Sequence, residues 1–538
     1  MSPLLPLELL FIGTVALLLG LLPRFRYTGL IAIVTAVAAL LAVAALGFRL
    51  PARAMLSAWG PASLLPVGLG LEVDALTWLF AVAVLTVTLA TLLTGVARPG
   101  GRRIFVRGAT LLLAFAGVAA LFADNLIARV MAWAGLDLIY FATLLLLAQG
   151  EGLELQAVLN LGFNAAGTLL AVGAALMISR TSETLSLRDA ALTPQSTLLI
   201  TLAAAFRLGL FPLHLGLPAE ANIRQGLGTL LRLIPAAVAL EVMARLAVFG
   251  FAEPVRPWLT LFGVAAVVVG AAQLWNVDDP RLGLTYVVIA QSGLALLAGL
   301  WGSVLAVQAL AGQSLTLLLG CALVYLSNGH DERRLWASVF SGVGALALLG
   351  APLTVGFLGA SGLYGGLLGA GNGPVLVGVF VAQVLLAAGL LRAVFWPGQP
   401  VEGEPLRQAV YFGGLALLAA LAVLAGVFTG WFNPVLGAPR LGLPGWTGMP
   451  SLVAAVVVVI TALGGVVLWR FETAVRARAE VVAAALTSLF RLDWLYRLVW
   501  GVIHLAGTLI LNLAAVLEGE GAVLWALVVV LLAWLLFK

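Results

Sequence analysis

Charge is scarce in this 538-residue chain: Asp, Glu, Lys and Arg together make up 9% of it. Soluble globular proteins carry about 25%. Hydrophobic residues account for 63%, and the mean hydropathy is +1.14. So little polar surface cannot cover a fold of this size in water. That excludes a stand-alone soluble enzyme, a nucleic-acid binder and a secreted module. Cysteine is nearly absent, with Cys321 alone, and the histidines are His214, His330 and His504. This inventory excludes a disulfide framework, a zinc finger and an iron–sulfur cluster. Any electrons travel in other chains. Lysine is nearly absent too: the sole one is Lys538, so the net charge of +5 and the pI of about 9.8 rest on arginine. Arginines at a membrane surface account for that basicity without any nucleic acid.

What the chain has in abundance is long apolar runs, each able to cross a hydrocarbon core of about 30 Å as a helix. Spans are expected at 4–22, 28–48, 74–95, 108–123, 126–148, 154–178, 196–216, 226–250, 256–275, 283–301, 303–327, 335–368, 373–395, 408–431, 451–470, 499–516 and 520–537. The first stretch lacks a basic leader and a cleavage site and contains Glu8, so it reads as a span. The fold class is therefore all-α: a polytopic transmembrane helical bundle of about 15–17 helices, some of them broken. Connection 49–73 is a Pro/Gly/Ser-rich loop, and 179–195 is another. Loops one and three hold Arg24, Arg26, Arg98, Arg102, Arg103 and Arg107; loop two holds Arg49 and Arg53, and loop four holds none. Six against two puts the N-terminus outside.

Two segments echo each other. Phe-Pro-Leu-His-Leu-Gly surrounds Pro212 and Ala-Pro-Leu-Thr-Val-Gly surrounds Pro352. A proline inside an apolar helix removes a hydrogen bond and clashes with the preceding turn. Broken backbone at membrane depth survives only inside protein or beside a water-filled cavity. Paired breaks point to an inverted-repeat transporter; packing kinks are the alternative. Ionisable residues inside spans are costly and mark function by default. Asp137, Arg207, Arg232 and Glu241 fall in span interiors. Asp74, Arg245, Arg281 and Arg392 sit near span ends, where snorkelling suffices.

These residues carry a resemblance. The chain resembles the antiporter-like membrane subunits of respiratory complex I and of Mrp-type cation/proton antiporters. Phe206 to Pro218 is similar to the broken seventh helix of that family, Lys-Ser-Ala-x-x-Pro-Phe-His-x-Trp-Leu-Pro-Asp. Pro212, His214, Leu217 and Pro218 match; Arg207 falls at the Lys and Ala219 at the Asp. Asp279 to Gly293 resembles Asp-x-Lys-Arg-x-x-Ala-Tyr-Ser-Ser-Ile-x-x-x-Gly, with Arg281 at its Lys. Gln308 to Gly320 resembles His-Ala-x-x-Lys-Ala-x-Leu-Phe-x-x-x-Gly, with Gln308 for the His and Gly312 for the Lys. Gly350 to Phe357 resembles the second broken helix, after which the usual Ser-Lys-Glu is missing at Leu358-Gly-Ala-Ser361. Leu71 to Thr77 and Leu391-Arg392 also sit where such subunits carry similar residues. The likeness covers residues 60–400.

The resemblance implies two inverted five-helix repeats and a mid-membrane row of proton carriers. This chain departs from that row. Lys releases a proton when buried, whereas Arg effectively cannot. Arg207 therefore holds a fixed charge, and Asp137 is expected to pair with it in place of the family's Glu–Lys pair. Glu241 has an i,i+4 partner in Arg245. The losses at Gly312 and near Gly359-Ala360 strip the second half of its usual carriers. Proton-path candidates are thus Asp137, Arg207, His214, Arg232, Glu241 and Arg281. Three readings stay open: coupling through fixed charges, His214 and water; a non-pumping member that keeps the arm assembled; or a stand-alone secondary transporter, which would need a substrate site that the sequence does not reveal. The resemblance further implies quinone, NADH and iron–sulfur clusters in partner subunits only, with no cofactor in this chain. It implies other membrane subunits of a complex I-like or Mrp-like assembly as partners, and a bacterial inner membrane as the location. The organisation expected is N-terminal spans at 1–107, an antiporter-like core at 108–400, and C-terminal spans at 401–538 with an amphipathic surface helix at 471–498.

Overall fold

The computed structural model describes residues 2–19, 28–55, 68–97, 103–147, 151–182, 185–188, 192–217, 225–251, 253–302, 305–327, 338–398, 404–428, 448–476, 478, 492–518 and 521–537. Among them, 12 helices are long and apolar enough to cross a membrane. Shorter apolar helices at 4–18, 338–348, 500–512 and 523–536 accompany them. The chain is an all-helical polytopic bundle. Its one sheet among the described residues is a two-stranded antiparallel ribbon, β1 (Ala52–Met55) and β2 (Gly70–Val73), at the two ends of the expected 49–73 loop. The register sets Arg53 opposite Glu72.

Residues 1–472 form one compact unit. Its N-terminal spans are α1 (Leu4–Leu19), α2 (Thr28–Leu46) and α3 (Ala75–Thr94). Asp74 caps α3 by accepting from Thr77 N at 2.8 Å. Five elements follow: α4 (Arg103–Phe122), α5 (Leu126–Leu147), α6 (Glu151–Ile178), α7 (Pro194–Leu208) and α8 (Gln225–Phe249). Each packs on the next, and α4 closes on α8. The next set repeats this order. α9 (Arg256–Asn276), α10 (Leu284–Trp301), α11 (Ala306–Leu326), the pair α12 (Ser338–Leu348) and α13 (Gly356–Gly369), and α14 (Gly373–Phe395) pack in succession, and α9 closes on α14. An odd number of crossings per set inverts the second set relative to the first. α8 and α11 are buried all round, as helices at the centre of a bundle must be. α15 (Pro405–Val427) lies on α3, and α16 (Met449–Arg470) lies on α13 and α14.

Both breaks use one device. α7 begins with a capping box of Thr193 and Ser196 and ends at Gly209, φ +62°. Gly209 N donates to Phe206 O (3.2 Å) and Leu210 N to Ala205 O (3.1 Å). α12 ends at Gly350, φ +78°, where Gly350 N donates to Ala347 O (2.9 Å) and Ala351 N to Leu346 O (2.9 Å). These are two Schellman caps, each centred on a left-handed glycine. The helices therefore stop at Gly209 and Gly350, and Pro212 and Pro352 only prevent resumption. Each glycine stands a few residues ahead of the proline at which a break was expected. Neighbouring amides satisfy the carbonyls so freed. Gln156 on α6 donates to Leu215 O (3.0 Å) and Leu217 O (2.9 Å), and Asn160 to Gly216 O (2.7 Å). At the second break, Gln291 on α10 donates to Leu348 O (2.8 Å). Residues 218–224, among them Pro218 and Ala219, fall outside the described residues.

Three connections meet through described residues. Asp124 N donates to Gly70 O and Leu126 N to Leu185 O, so the 47–74, 123–125 and 179–193 connections touch. They are the second, fourth and sixth connections, as alternate crossing requires.

Residues 473–538 form the second unit. It contains α17 (Asp493–Glu518) and α18 (Gly521–Leu536). α17 runs unbroken through 498/499, where the expected surface helix was to give way to a span. Most of 471–498 lies outside the described residues. Arg497, His504, Thr508 and Asn512 follow near-helical spacing along α17, which makes it amphipathic over its described length.

Candidate functional site

α5 carries Arg129, Trp133 and Asp137 at intervals of four, which stacks them on one helix face. α7 brings Arg207 to that face two residues before the Gly209 cap. The expected pair is there. Arg207 grips Asp137 with two parallel bonds, Nη1 to Oδ1 at 2.7 Å and Nη2 to Oδ2 at 2.8 Å. Its guanidinium lies 4.5 Å from the centroid of the Trp133 ring. Thr168 of α6 accepts from Arg207 Nη2 at 3.3 Å and donates to Asp137 Oδ2 at 3.4 Å. Both charges are buried. A bidentate, ring-stacked Arg–carboxylate pair is planar and specific, and it holds one geometry.

A second cluster forms around α8. Glu241 is fully buried and accepts from Arg245 of its own helix and from Arg129 of α5. The i,i+4 pair is thus present, and Arg129 is an addition that sequence reasoning missed. Its signal was the four-residue spacing to Trp133 and Asp137. Arg245 also reaches Asp74 (Nη1–Oδ2 3.1 Å) and Thr77 Oγ1 (2.5 Å). Arg188 bridges Asp74 and Glu72, and Glu72 accepts from Arg53 at 2.9 Å. The charges alternate without interruption: Arg53, Glu72, Arg188, Asp74, Arg245, Glu241, Arg129. The ladder runs from the exposed Arg53 side chain, 67% accessible, to Glu241 at 0%. Arg245 and Asp74, expected to snorkel, are instead engaged in ion pairs with each other and with Glu241 and Arg188. Arg392 does not snorkel either. It is buried, donates to Trp275 O (2.7 Å) and Asp278 O (3.1 Å) at the end of α9, and pairs with Glu472 at 3.0 Å.

Arg232, also buried on α8, sits between the two repeats. It donates to Thr285 Oγ1 of α10 (2.9 Å) and to Gly228 O (2.9 Å). His214 lies in the first break, its ring 5.3 Å from that of Phe211. No hydrogen bond joins it to Asp137 or Arg207 among the described residues. Arg281 has its backbone in a short 3-10 turn, Pro280–Leu282, and its side chain lies outside the described residues.

The second half is neutral at the matching depth. Gln313 of α11 donates to Gln291, which donates to the broken end of α12. A Cβ on Gly312 would lie 2.8 Å from Leu358 Cβ, and one on Gly359 would lie 2.4 Å from Gln313 Oε1. α11 and α13 therefore touch backbone to backbone where the resemblance places a Lys and near where it places a Glu.

No family model and no curated protein matches the chain. Solved structures do. A chain of the Mrp complex from Dietzia sp. DQ12-45-1b superposes with a TM-score of 0.81 at 21% identity; the match covers 99% of this chain and 62% of that one. A chain of respiratory complex I from Thermus thermophilus gives 0.61 at 22% identity over 78% of this chain and 98% of that one. A chain of the membrane-bound sulfane sulfur reductase, an archaeal respiratory membrane complex, gives 0.74 at 18% identity over 99% of both. The chain thus has the antiporter-like fold shared by membrane subunits of Mrp complexes, respiratory complex I and a related respiratory membrane complex.

Proposed function

We propose that this chain is a membrane-arm subunit of a complex I-like, proton-translocating quinone oxidoreductase, in which it supplies fixed charge and structure and no complete proton channel of its own. The observation that carries this reading is the contrast between the halves. The first keeps buried ion pairs, Asp137 with Arg207 and Glu241 with Arg129 and Arg245, whose cations cannot release a proton. The second has closed over the positions of its carriers, Gly312 and Gly359. A proton row needs groups that gain and lose protons at accessible cost, and amides such as Gln291 and Gln313 do not. Quinone, NADH and iron–sulfur chemistry then reside in partner subunits of a bacterial inner membrane. This chain has no catalytic centre in the proposal. The full-length likeness to a respiratory membrane complex supports a redox assembly. The larger TM-score with the Mrp chain favours a second reading, an Mrp-type cation/proton antiporter subunit, although this chain spans 62% of that chain's length.

Purification of the tagged chain from native membranes separates the two. Co-purifying quinone-reducing and iron–sulfur subunits are the expected result. Recovery of small Mrp-type subunits without them establishes the second reading, and recovery of the chain alone contradicts both.

A further inference from the structure

Beside the charge ladder stands a carboxylate that neither cluster uses. Asp124 lies between α4 and α5, half-buried, and its partners are neutral. Asn125 Nδ2 donates to Oδ1 at 2.6 Å, and the Gly70 backbone N–H also donates to the carboxylate. A Cβ on Gly70 would lie 2.1 Å from Asp124 Oδ2, so the carboxylate sits tight against the Gly70 backbone. Glu72, Asp74 and Glu241 are each paired with two arginines, and Asp124 is in no ion pair among the described residues.

Asp124 shares one cavity of ≈ 10 Å³ with Glu72 of β2, Arg188 of the 185–188 segment, Arg129 of α5 and Arg245 of α8. Such a volume holds about one water. Asp74 and Glu241 lie behind those guanidiniums, and Arg53 lies beyond Glu72. The ladder carries four arginines against three carboxylates. An ionised Asp124 brings this sum to zero, and a protonated one leaves it at one positive charge.

We propose that Asp124 is a proton-binding site at the membrane surface, facing this cavity, and that its protonation sets the net charge of the ladder. The proton passes from water to a carboxylate oxygen of Asp124 and returns to water; only that O–H bond forms and breaks. Burial pushes the Asp124 carboxyl above the usual range, the Gly70 N–H works against this, and the Glu72 charge adds to it. The inference rests on the fold and the ladder and not on the assembly proposed above.

Infrared titration of the intact purified complex, without turnover, tests it. The wild type is expected to show a protonated-carboxyl C=O band that titrates above the ordinary aspartate range. Asp124→Asn removes the band, and Asp137→Asn leaves it. Arg188→Gln takes a guanidinium from across the cavity and moves the midpoint up by about one pH unit. If Asp124→Asn does not assemble, Asp124→Glu decides: the band must change frequency. A band that survives Asp124→Asn, is unmoved by Asp124→Glu, or titrates in the ordinary range overturns the proposal.

Discussion

Arg207 holds a fixed positive charge, because an arginine guanidinium does not give up its proton in proteins. The energetic value of its bidentate pairing with Asp137 is exposed by breaking it. Asp137→Ala leaves a cation buried without its counter-charge, which is expected to cost about 3–5 kcal/mol. Asp137→Leu with Arg207→Met removes both charges and recovers most of that loss. Thermal unfolding of the solubilised protein reads both; equal losses in the single and double variants would refute the pairing energy. The ladder gives a pH signature. Burial opposes the Asp74 charge, but Arg245, Arg188 and the Thr77 N–H outweigh it and hold the carboxyl at about 2, below its ordinary 3.8. A lowered acid stabilises the fold above its unfolded pKa. That contribution, about 2 kcal/mol, is present at neutral pH and is lost as pH falls from 3.8 towards 2. Asp124 has the opposite sign: its destabilisation at neutral pH is relieved as pH falls through its raised pKa. In Asp74→Asn the acid-induced loss of stability between pH 4 and 2 should shrink. The Asp137–Arg207 pair was legible because a lone buried Arg demands a partner. Arg129 was not, because a residue one turn inside a helix reads as interfacial until the fold buries it.

Elements were legible where apolar length alone decides them, and less so where glycine geometry decides. The sequence marks both breaks by proline, yet the chain turns at Gly209 and Gly350 because only a left-handed residue completes each cap. Gly209→Ala should cost about 1–2 kcal/mol of backbone strain, and its Cβ would also lie 2.4 Å from Leu217 Cγ. Pro212→Ala should cost less. A larger loss at Pro212 would reverse the assignment of roles. Gly312→Lys tests the closed second half. With Leu358 Cβ 2.8 Å from the new Cβ, the α11–α13 contact must part. The expected outcome is a lowered melting temperature and no gain of proton leak in vesicles. A stable variant that leaks protons would show that the path was intact and lacked only its carrier. The α17 boundary was misplaced because a polar stripe inside an apolar helix reads locally as two elements.

At the scale of the whole molecule, 538 residues with few charges could only be a membrane bundle, and the order of spans and breaks carried the architecture. The ladder could not be read so. Its members come from β1, β2, the cap of α3, the 185–188 segment, α5 and α8, and only the three meeting connections bring them together. The central claim is that the chain braces a translocating arm without conducting protons itself. The most direct test reconstitutes the parent complex in proteoliposomes. Protons moved per turnover are compared between wild type and Asp137→Asn with Arg207→Met, after assembly is verified. Unchanged stoichiometry is predicted; a large loss with the complex intact would contradict the account and make this subunit a proton carrier despite its arginines.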